Sequence, residues 1–325
     1  MATQFGTCVT VAAPAKLNLF LEILGRRADG FHELDTVLFS VSHCDFVEFR
    51  ATQSTTINLS FRYRRLGDGK GIGNVDTGFE GTSNLVYRAA ELLRAKSGTS
   101  HGAVIRLWKR IPLASGLGGG SSDAAATLRA ANSAWGLHWP LAKLLPLAQE
   151  LGSDVPFFLH RGASSWGGRG DVFRQPALTG RCFAVVVIPS VGNSTAQVYR
   201  ESSLPTSIRS NPWMSGHSRP FGPIRTSKLL FNRLTEPAIR NNPAIDSAIR
   251  ELRRCGVDWP AVSGSGSSCF GILRNQNQAH CVANRLRARG WNAVAVHSVG
   301  GFPPPVLSGF PPPVRANPIP DIGAT

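Results

Sequence analysis

The chain has 325 residues, a formal net charge of +15 and 42% apolar residues. That length allows two domains with substantial cores, and the apolar fraction excludes a disordered chain. No run approaches the roughly 18–20 apolar residues that span a bilayer, and residues 1–6 lack a secretory signal pattern, so a cytoplasmic protein without a membrane partner is expected.

In chain order, the alternating apolar runs 7–12 and 17–24 predict strands, followed by 45–50 and 56–61. Residues 66–81, rich in Gly and Asp, predict a loop. Thr82 or Ser83 is expected to cap a helix whose apolar face carries Leu85, Val86, Ala89, Ala90, Leu92 and Leu93. A strand over 103–108 leads into a glycine loop, and Ser121 and Ser122 are expected to cap the alanine-rich helix after it. Pro140 opens a further helix and Gly152 ends it. A second block begins near Arg161, with a nearly all-apolar strand over 182–188 and a polar, proline-containing loop over 201–225. Asn242 caps a helix with Pro243 at its first position, and Gly256 stops it. Strands at 261–262 and 269–273 flank a Gly/Ser turn, and a helix over 278–289 and a strand over 292–296 follow. The expected fold is α+β, with a helix-covered sheet in each of two domains, 1–160 and 161–299. Residues 300–325 form a Pro-rich tail whose composition favours polyproline II and disorder.

The glycine loop comprises Pro112, Leu113, Ala114, Ser115, Gly116, Leu117, Gly118, Gly119, Gly120, Ser121 and Ser122. Without Cβ atoms, backbone N–H groups can approach an anion closely, and the following helix adds unpaired donors and a positive dipole end. It is not a P-loop, because Gly120 is followed by Ser121 and Ser122 rather than Lys-Ser/Thr, and Ser121 stands where a dinucleotide fingerprint needs its third glycine. The plain alternative is a flexible turn capped by serine. Lys16 and Asn18, two apart on a strand, share one face. Asp154 lies in Gly152-Ser-Asp-Val-Pro156 and reads alternatively as a turn former. Anion-binding amides, a cation and a carboxylate are the parts a phosphoryl-transfer site needs. The six cysteines are scattered without a C-x-x-C pair and read as free thiols. The arginines are dispersed without aromatic interleaving, so a solvated basic surface is expected rather than a nucleic-acid partner.

Five segments occur in a recognisable order: Pro14-Ala-Lys-Leu-Asn-Leu-Phe-Leu21, Arg27-Ala-Asp-Gly-Phe-His32, the glycine loop, Gly152-Ser-Asp-Val-Pro-Phe157 and Ser263-Gly-Ser-Gly266. Together they resemble the GHMP kinase superfamily over roughly residues 10–299, and within it the first two segments resemble the kinases of 4-diphosphocytidyl-2-C-methyl-D-erythritol in the non-mevalonate isoprenoid pathway. The resemblance implies a domain like the second domain of ribosomal protein S5 packed on a ferredoxin-like C-terminal domain, with ATP between them and its phosphates over residues 112–122. It implies Asp154 as general base and Lys16 as its cationic partner, with Asn18 and Thr195 contacting the acceptor. Phe31 and Tyr199 would sandwich cytosine, and His32 would read its edge. Mg²⁺ would arrive with ATP, touched by Ser122; no metal-binding carboxylate is defined by the sequence. The implied partner is a small molecule, and the chain a monomer or homodimer. Homoserine or mevalonate kinases are the alternative within the superfamily, and a basic nucleic-acid-binding protein is the alternative outside it. Two departures stand out. Phe31 replaces a tyrosine, and the Asn-Asp-Leu-Glu pattern appears as Asn232-Arg-Leu-Thr-Glu236.

Overall fold

The computed structural model describes residues 8–63, 81–160, 162–213, 219–220, 223–300 and 306–307. The expected loop at 66–81 lies, except for Gly81, outside the described residues, as does most of the Pro-rich tail.

The chain opens with two long strands, β1 (Cys8–Arg26) and β2 (His32–Thr52), followed by β3 (Ile57–Tyr63), α1 (Leu85–Ser97) and β4 (Gly102–Lys109). Then come α2 (Gly119–Ala134), α3 (Leu141–Leu151), α4 (Val155–Leu159), β5 (Ser164–Gly167) and β6 (Val172–Pro176). These strands form one sheet with the path β10-β1-β2-β4-β3, in which β5 pairs with β2 and β6. The edge strand β10 (Phe231–Asn232) returns from the second half and pairs in parallel with Phe20 and Leu21.

The runs at 7–12 and 17–24 belong to one strand. Pro14 does not interrupt it, because the missing N–H falls at a register shift between Pro14 and Ala15, where a proline costs no ladder bond. The odd-numbered side chains of β1 thread all three hydrophobic clusters. Val9, Val11 and Ala13 pack with α1 and α2; Ala15, Leu17 and Leu19 join a second cluster; Leu21 and Ile23 join a third. A strand buried in this way reads as a continuous apolar run. Lys16 and Asn18 project from the even-numbered positions between them.

Two expected caps are displaced. Asn84, not Thr82 or Ser83, caps α1, its side-chain oxygen accepting the Val86 N–H at 2.9 Å. Helix α2 starts at Gly119 with Gly118 as its cap and no capping side chain, so Ser121 and Ser122 lie inside its first turn. Its early N–H groups are thereby left without a side-chain acceptor.

After β7 (Leu178–Thr179) come β8 (Phe183–Val187), α5 (Thr195–Arg200), β9 (Arg219–Pro220), α6 (Pro223–Lys228), β10, α7 (Thr235–Asn241), α8 (Ala244–Arg254), β11 (Ala261–Val262), β12 (Cys269–Leu273), α9 (Gln276–Ala288), β13 (Ala293–His297) and β14 (Val306–Leu307). The second sheet is antiparallel in the order β11-β12-β8-β13, and the chain order β8-α8-β11-β12-α9-β13 makes this unit ferredoxin-like. The apolar 182–188 segment is central because β8 has a neighbour on each side. Within the Pro-rich tail, Val306 and Leu307 pair with Thr10 and Val9 of β1. Residues 164–176 pair with the first sheet, so we propose the division between the two units after Pro176 rather than near Arg161.

Glu22 of β1 is fully buried and ties the two halves together. It accepts from Arg233 Nε at 2.7 Å and Nη2 at 2.6 Å, and from the backbone N–H groups of Arg209 and Ile23. Arg233, the departure from the family pattern, thus answers a buried acid. Burial alone would raise the Glu22 carboxyl, but these donors outweigh it and hold it below the ordinary 4.5. The unfolded chain therefore binds more protons in this range, and the contribution of Glu22 is present above pH 4.5 and lost as pH falls through the folded value. We expect Arg233→Met to lower unfolding free energy in urea by about 1.5–3 kcal/mol, toward the low end because Arg233 is partly exposed. The variant should also lose less stability than the parent below pH 4.5. An identical acid limb in both proteins would contradict this role for Glu22.

Candidate active site

The glycine loop carries the chain from β4 into α2. Its start is gripped from β2: the Asp45 carboxylate accepts the N–H groups of Arg110 (2.5 Å) and Ile111 (2.8 Å). Lys109, buried, bridges Asp45 at 2.5 Å and Asp123 of α2 at 2.7 Å. Both ends of the loop are thus fastened to one buried ion network. Burial pushes the Asp123 carboxyl well above its ordinary value, with the Asp45 charge adding to it and Lys109 pulling the other way. The sequence reading missed this network because Asp45, Lys109 and Asp123 meet only through the pairing of β2 with β4.

Within the loop, Pro112 is part-buried, Leu113, Ala114 and Gly120 are exposed, and Ser115, Leu117, Gly119 and Ser122 are buried. The second Gly/Ser turn backs the loop. Ser263 Oγ donates to Gly116 O at 3.0 Å, and the Ser268 N–H donates to Ser115 O at 2.9 Å. Gly116 has φ +75°, and a Cβ there would lie 2.2 Å from Ser263 O. Asn232, first residue of the departed family pattern, holds the turn by donating to Val262 O at 2.9 Å and Gly264 O at 2.7 Å.

Lys16 lies beneath this junction. Its N–H donates to Leu117 O, and its ammonium donates to Asn18 Oδ1 at 2.7 Å. The Lys16 ammonium stands 3.8 Å from the Asp154 carboxylate; Lys16 is 5% exposed and Asp154 38%. Burial lowers the Lys16 pKa from 10.5, and Asp154 counters it. Asp154 sits immediately before α4, whose second residue is Pro156. Asn18 is oriented in turn, donating to Thr36 Oγ1 at 3.1 Å, which donates to Phe20 O at 2.7 Å.

The remaining expected residues line the other end. His32 opens β2, and its ring meets that of Tyr199 on α5 with centroids 5.3 Å apart and planes 30° off parallel. Burial, and then the Asp154 charge, push the Tyr199 phenol up. Phe31 is half exposed at the β1–β2 turn, with the Arg169 guanidinium 4.9 Å from its ring centre. Thr195 is exposed and shares a 2.9 Å hydrogen bond with Ser265. Lys16, Asn18 and Asp154 therefore converge beside the glycine loop, while His32 and Phe31 lie at the β1–β2 turn and Tyr199 and Thr195 on α5, with the His32 and Tyr199 rings in contact. Ser122 Oγ is buried with no hydrogen-bond partner among the described residues. No cluster of three or more His, Cys, Asp or Glu side chains suited to a metal occurs among them. Nor, among these residues, is any helix long and apolar enough to cross a membrane.

Gly116→Ala should force the two turns apart, since the site excludes both a Cβ and its backbone conformation. We expect a cost on the order of 1–3 kcal/mol, read as a lower melting temperature together with weaker nucleotide binding. An unchanged melting temperature would mean that the turns do not touch.

Known proteins resemble this chain in sequence and in structure. Residues 84–162 match the GHMP kinases N terminal domain model, and residues 222–291 match the GHMP kinases C terminal model. The chain is 38% identical over 285 residues to a 4-diphosphocytidyl-2-C-methyl-D-erythritol kinase of Pelotomaculum thermopropionicum, covering 86% of this chain and 94% of that one. It is 35% identical over 275 residues to the same kinase of Shewanella piezotolerans, covering 82% and 86%. A crystal structure of 4-(cytidine 5'-diphospho)-2C-methyl-D-erythritol kinase superposes with a TM-score of 0.68 at 33% identity, covering 90% of this chain and all of that one. Homoserine kinase from Cytophaga hutchinsonii, at 17% identity and a TM-score of 0.67, shares the fold alone, covering 94% and 99%. The chain belongs to the 4-diphosphocytidyl-2-C-methyl-D-erythritol kinase family of the GHMP kinases.

Proposed function

We propose that this protein transfers the γ-phosphoryl group of ATP to the 2-hydroxyl of 4-diphosphocytidyl-2-C-methyl-D-erythritol. The observation that carries the reading is the Lys16–Asp154 pair, 3.8 Å apart, at the mouth of the glycine loop. In the transfer, the acceptor oxygen forms a bond to the γ-phosphorus as the bond to the bridging oxygen breaks, and ADP leaves with that electron pair. The Asp154 carboxylate accepts the hydroxyl proton. The Lys16 ammonium stabilises charge developing on the phosphoryl oxygens. The backbone N–H groups at the start of α2 cradle the phosphates. Asn18, fixed by Thr36, holds the acceptor hydroxyl in line.

The Ser122 hydroxyl, buried without a hydrogen-bond partner among the described residues, would hold Mg²⁺ carried in by the nucleotide, and the ion would supply neutralisation of phosphate charge. Phe31 and Tyr199 supply ring faces for a pyrimidine, and His32 offers one donor and one acceptor at its edge when neutral. Burial and the Arg26 charge lower the His32 pKa from 6.5, which favours that neutral form.

Asp154→Asn keeps the shape and removes the proton acceptor. We expect kcat to fall about 10²–10⁴-fold with the acceptor KM little changed. Tyr199→Ala should raise the acceptor KM and leave the ATP KM nearly unaltered, because one stacking face is worth roughly 1–3 kcal/mol. Near-normal turnover by the Asn variant would remove Asp154 from the mechanism. Equal changes in both KM values for the Tyr199 variant would mark that ring as a core aromatic.

A further inference from the structure

The exposed tip of the glycine loop is held in an uncommon conformation. Ala114 has φ +52°, the left-handed region that non-glycine residues seldom occupy. Such a residue persists only where its surroundings over-determine it. What holds it comes from the other half of the molecule. The Asn193 N–H donates to Ala114 O at 3.0 Å, and a Cβ on the preceding Gly192 would lie 2.7 Å from Ala114 Cβ and 2.8 Å from Ala114 O. The side chain of Asn193, buried in turn, donates to Ser265 O at 3.0 Å and Ala238 O at 3.2 Å. One residue therefore joins the glycine loop, the second Gly/Ser turn and α7.

The same short segment runs on into α5. Ser194 caps that helix, its side chain accepting the Gln197 N–H. Thr195 bonds Ser265, and Tyr199 carries the ring that meets His32. Residues 192–199 thus touch the phosphate-side loop at one end and present the acceptor-side ring at the other. A displacement of α5 by a ligand on Tyr199 would reach Ala114 through Asn193, and ordering of the loop by phosphates would pass back along the same path.

We infer that Gly192 and Asn193 are positioning residues that couple the nucleotide and acceptor sites, so that each ligand tightens the binding of the other. This inference rests on the proposed assignment of the two sites. Linkage requires the coupling to be reciprocal, and couplings of this kind typically amount to about 5–150-fold in affinity.

The test measures the dissociation constant of ADP by calorimetry, alone and with saturating 4-diphosphocytidyl-2-C-methyl-D-erythritol, on the full chain and on Asn193→Ala. In the parent we expect the acceptor to tighten ADP binding roughly tenfold. In Asn193→Ala that ratio should fall to about twofold or less, while ADP alone binds within about threefold of the parent. Gly192→Ala, whose added methyl presses on Ala114, should also lower the ratio and decides the matter if Asn193→Ala does not fold. A ratio unchanged in a folded variant overturns the coupling and leaves the functional reading intact. An acceptor that does not bind the parent overturns both.

Discussion

The constraint on which the site depends is a lysine ammonium kept charged in a place that excludes water. Burial works against the charge on Lys16, and the compensation consists of one carboxylate at 3.8 Å and one amide oxygen at 2.7 Å. Neither partner can move far without leaving a buried charge uncompensated. Much of the surrounding architecture keeps them still. The Thr36 hydroxyl fixes Asn18, the Lys16 backbone binds Leu117 in the glycine loop, and Ser263 Oγ stands 3.4 Å from Asn18 Oδ1 and 3.5 Å from Lys16 O. The cation and the phosphate cradle are therefore parts of one hydrogen-bonded body.

That body is assembled from both domains. The loop is anchored at its ends by Asp45 and Lys109 from the first sheet and Asp123 from α2, and along its middle by Ser263, Ser268 and Asn193 from the second half. Backbone carbonyls of loops need donors when buried, and here side-chain amides provide them: Asn193 and Asn232 each satisfy two. The Glu22–Arg233 pair acts at a larger scale, fastening β10 and the segment at Arg209 to β1. A position where the family pattern has an acid carries an arginine in this chain, and a buried glutamate on the facing strand answers it.

Legibility in the sequence followed the range of the interactions. The glycine loop, the helix after it and the shared face of Lys16 and Asn18 depend on neighbours within a few residues, so local pattern exposed them. The continuity of β1 through Pro14 was hidden, because a proline at a register shift differs from a proline that ends a strand only in its pairing with β2. The return of β5 to β2 was hidden for the same reason. Asn193 carried no signal beyond being a polar residue near a turn, and Asn232 and Ser263 were marked only by the family segments they belong to, since the partners of all three lie far along the chain. For Ser263 the glycine neighbours were a further clue: clustered Gly and Ser at 263–268 mark a turn, and close approach of another backbone explains why it is built from small residues.

Recognition of a cytidine diphosphate by Phe31, His32 and Tyr199, joined to phosphoryl transfer at Lys16 and Asp154, is the step on which the proposed function depends. It is tested most directly by the initial rate of ADP release from ATP with 4-diphosphocytidyl-2-C-methyl-D-erythritol, homoserine or mevalonate as acceptor, at equal concentration. The account expects ADP release with the cytidyl acceptor at least about 10³-fold faster than with either of the others, because neither has a base to stack or an edge to read. Comparable rates with homoserine or mevalonate, or ADP release independent of any acceptor, would contradict it.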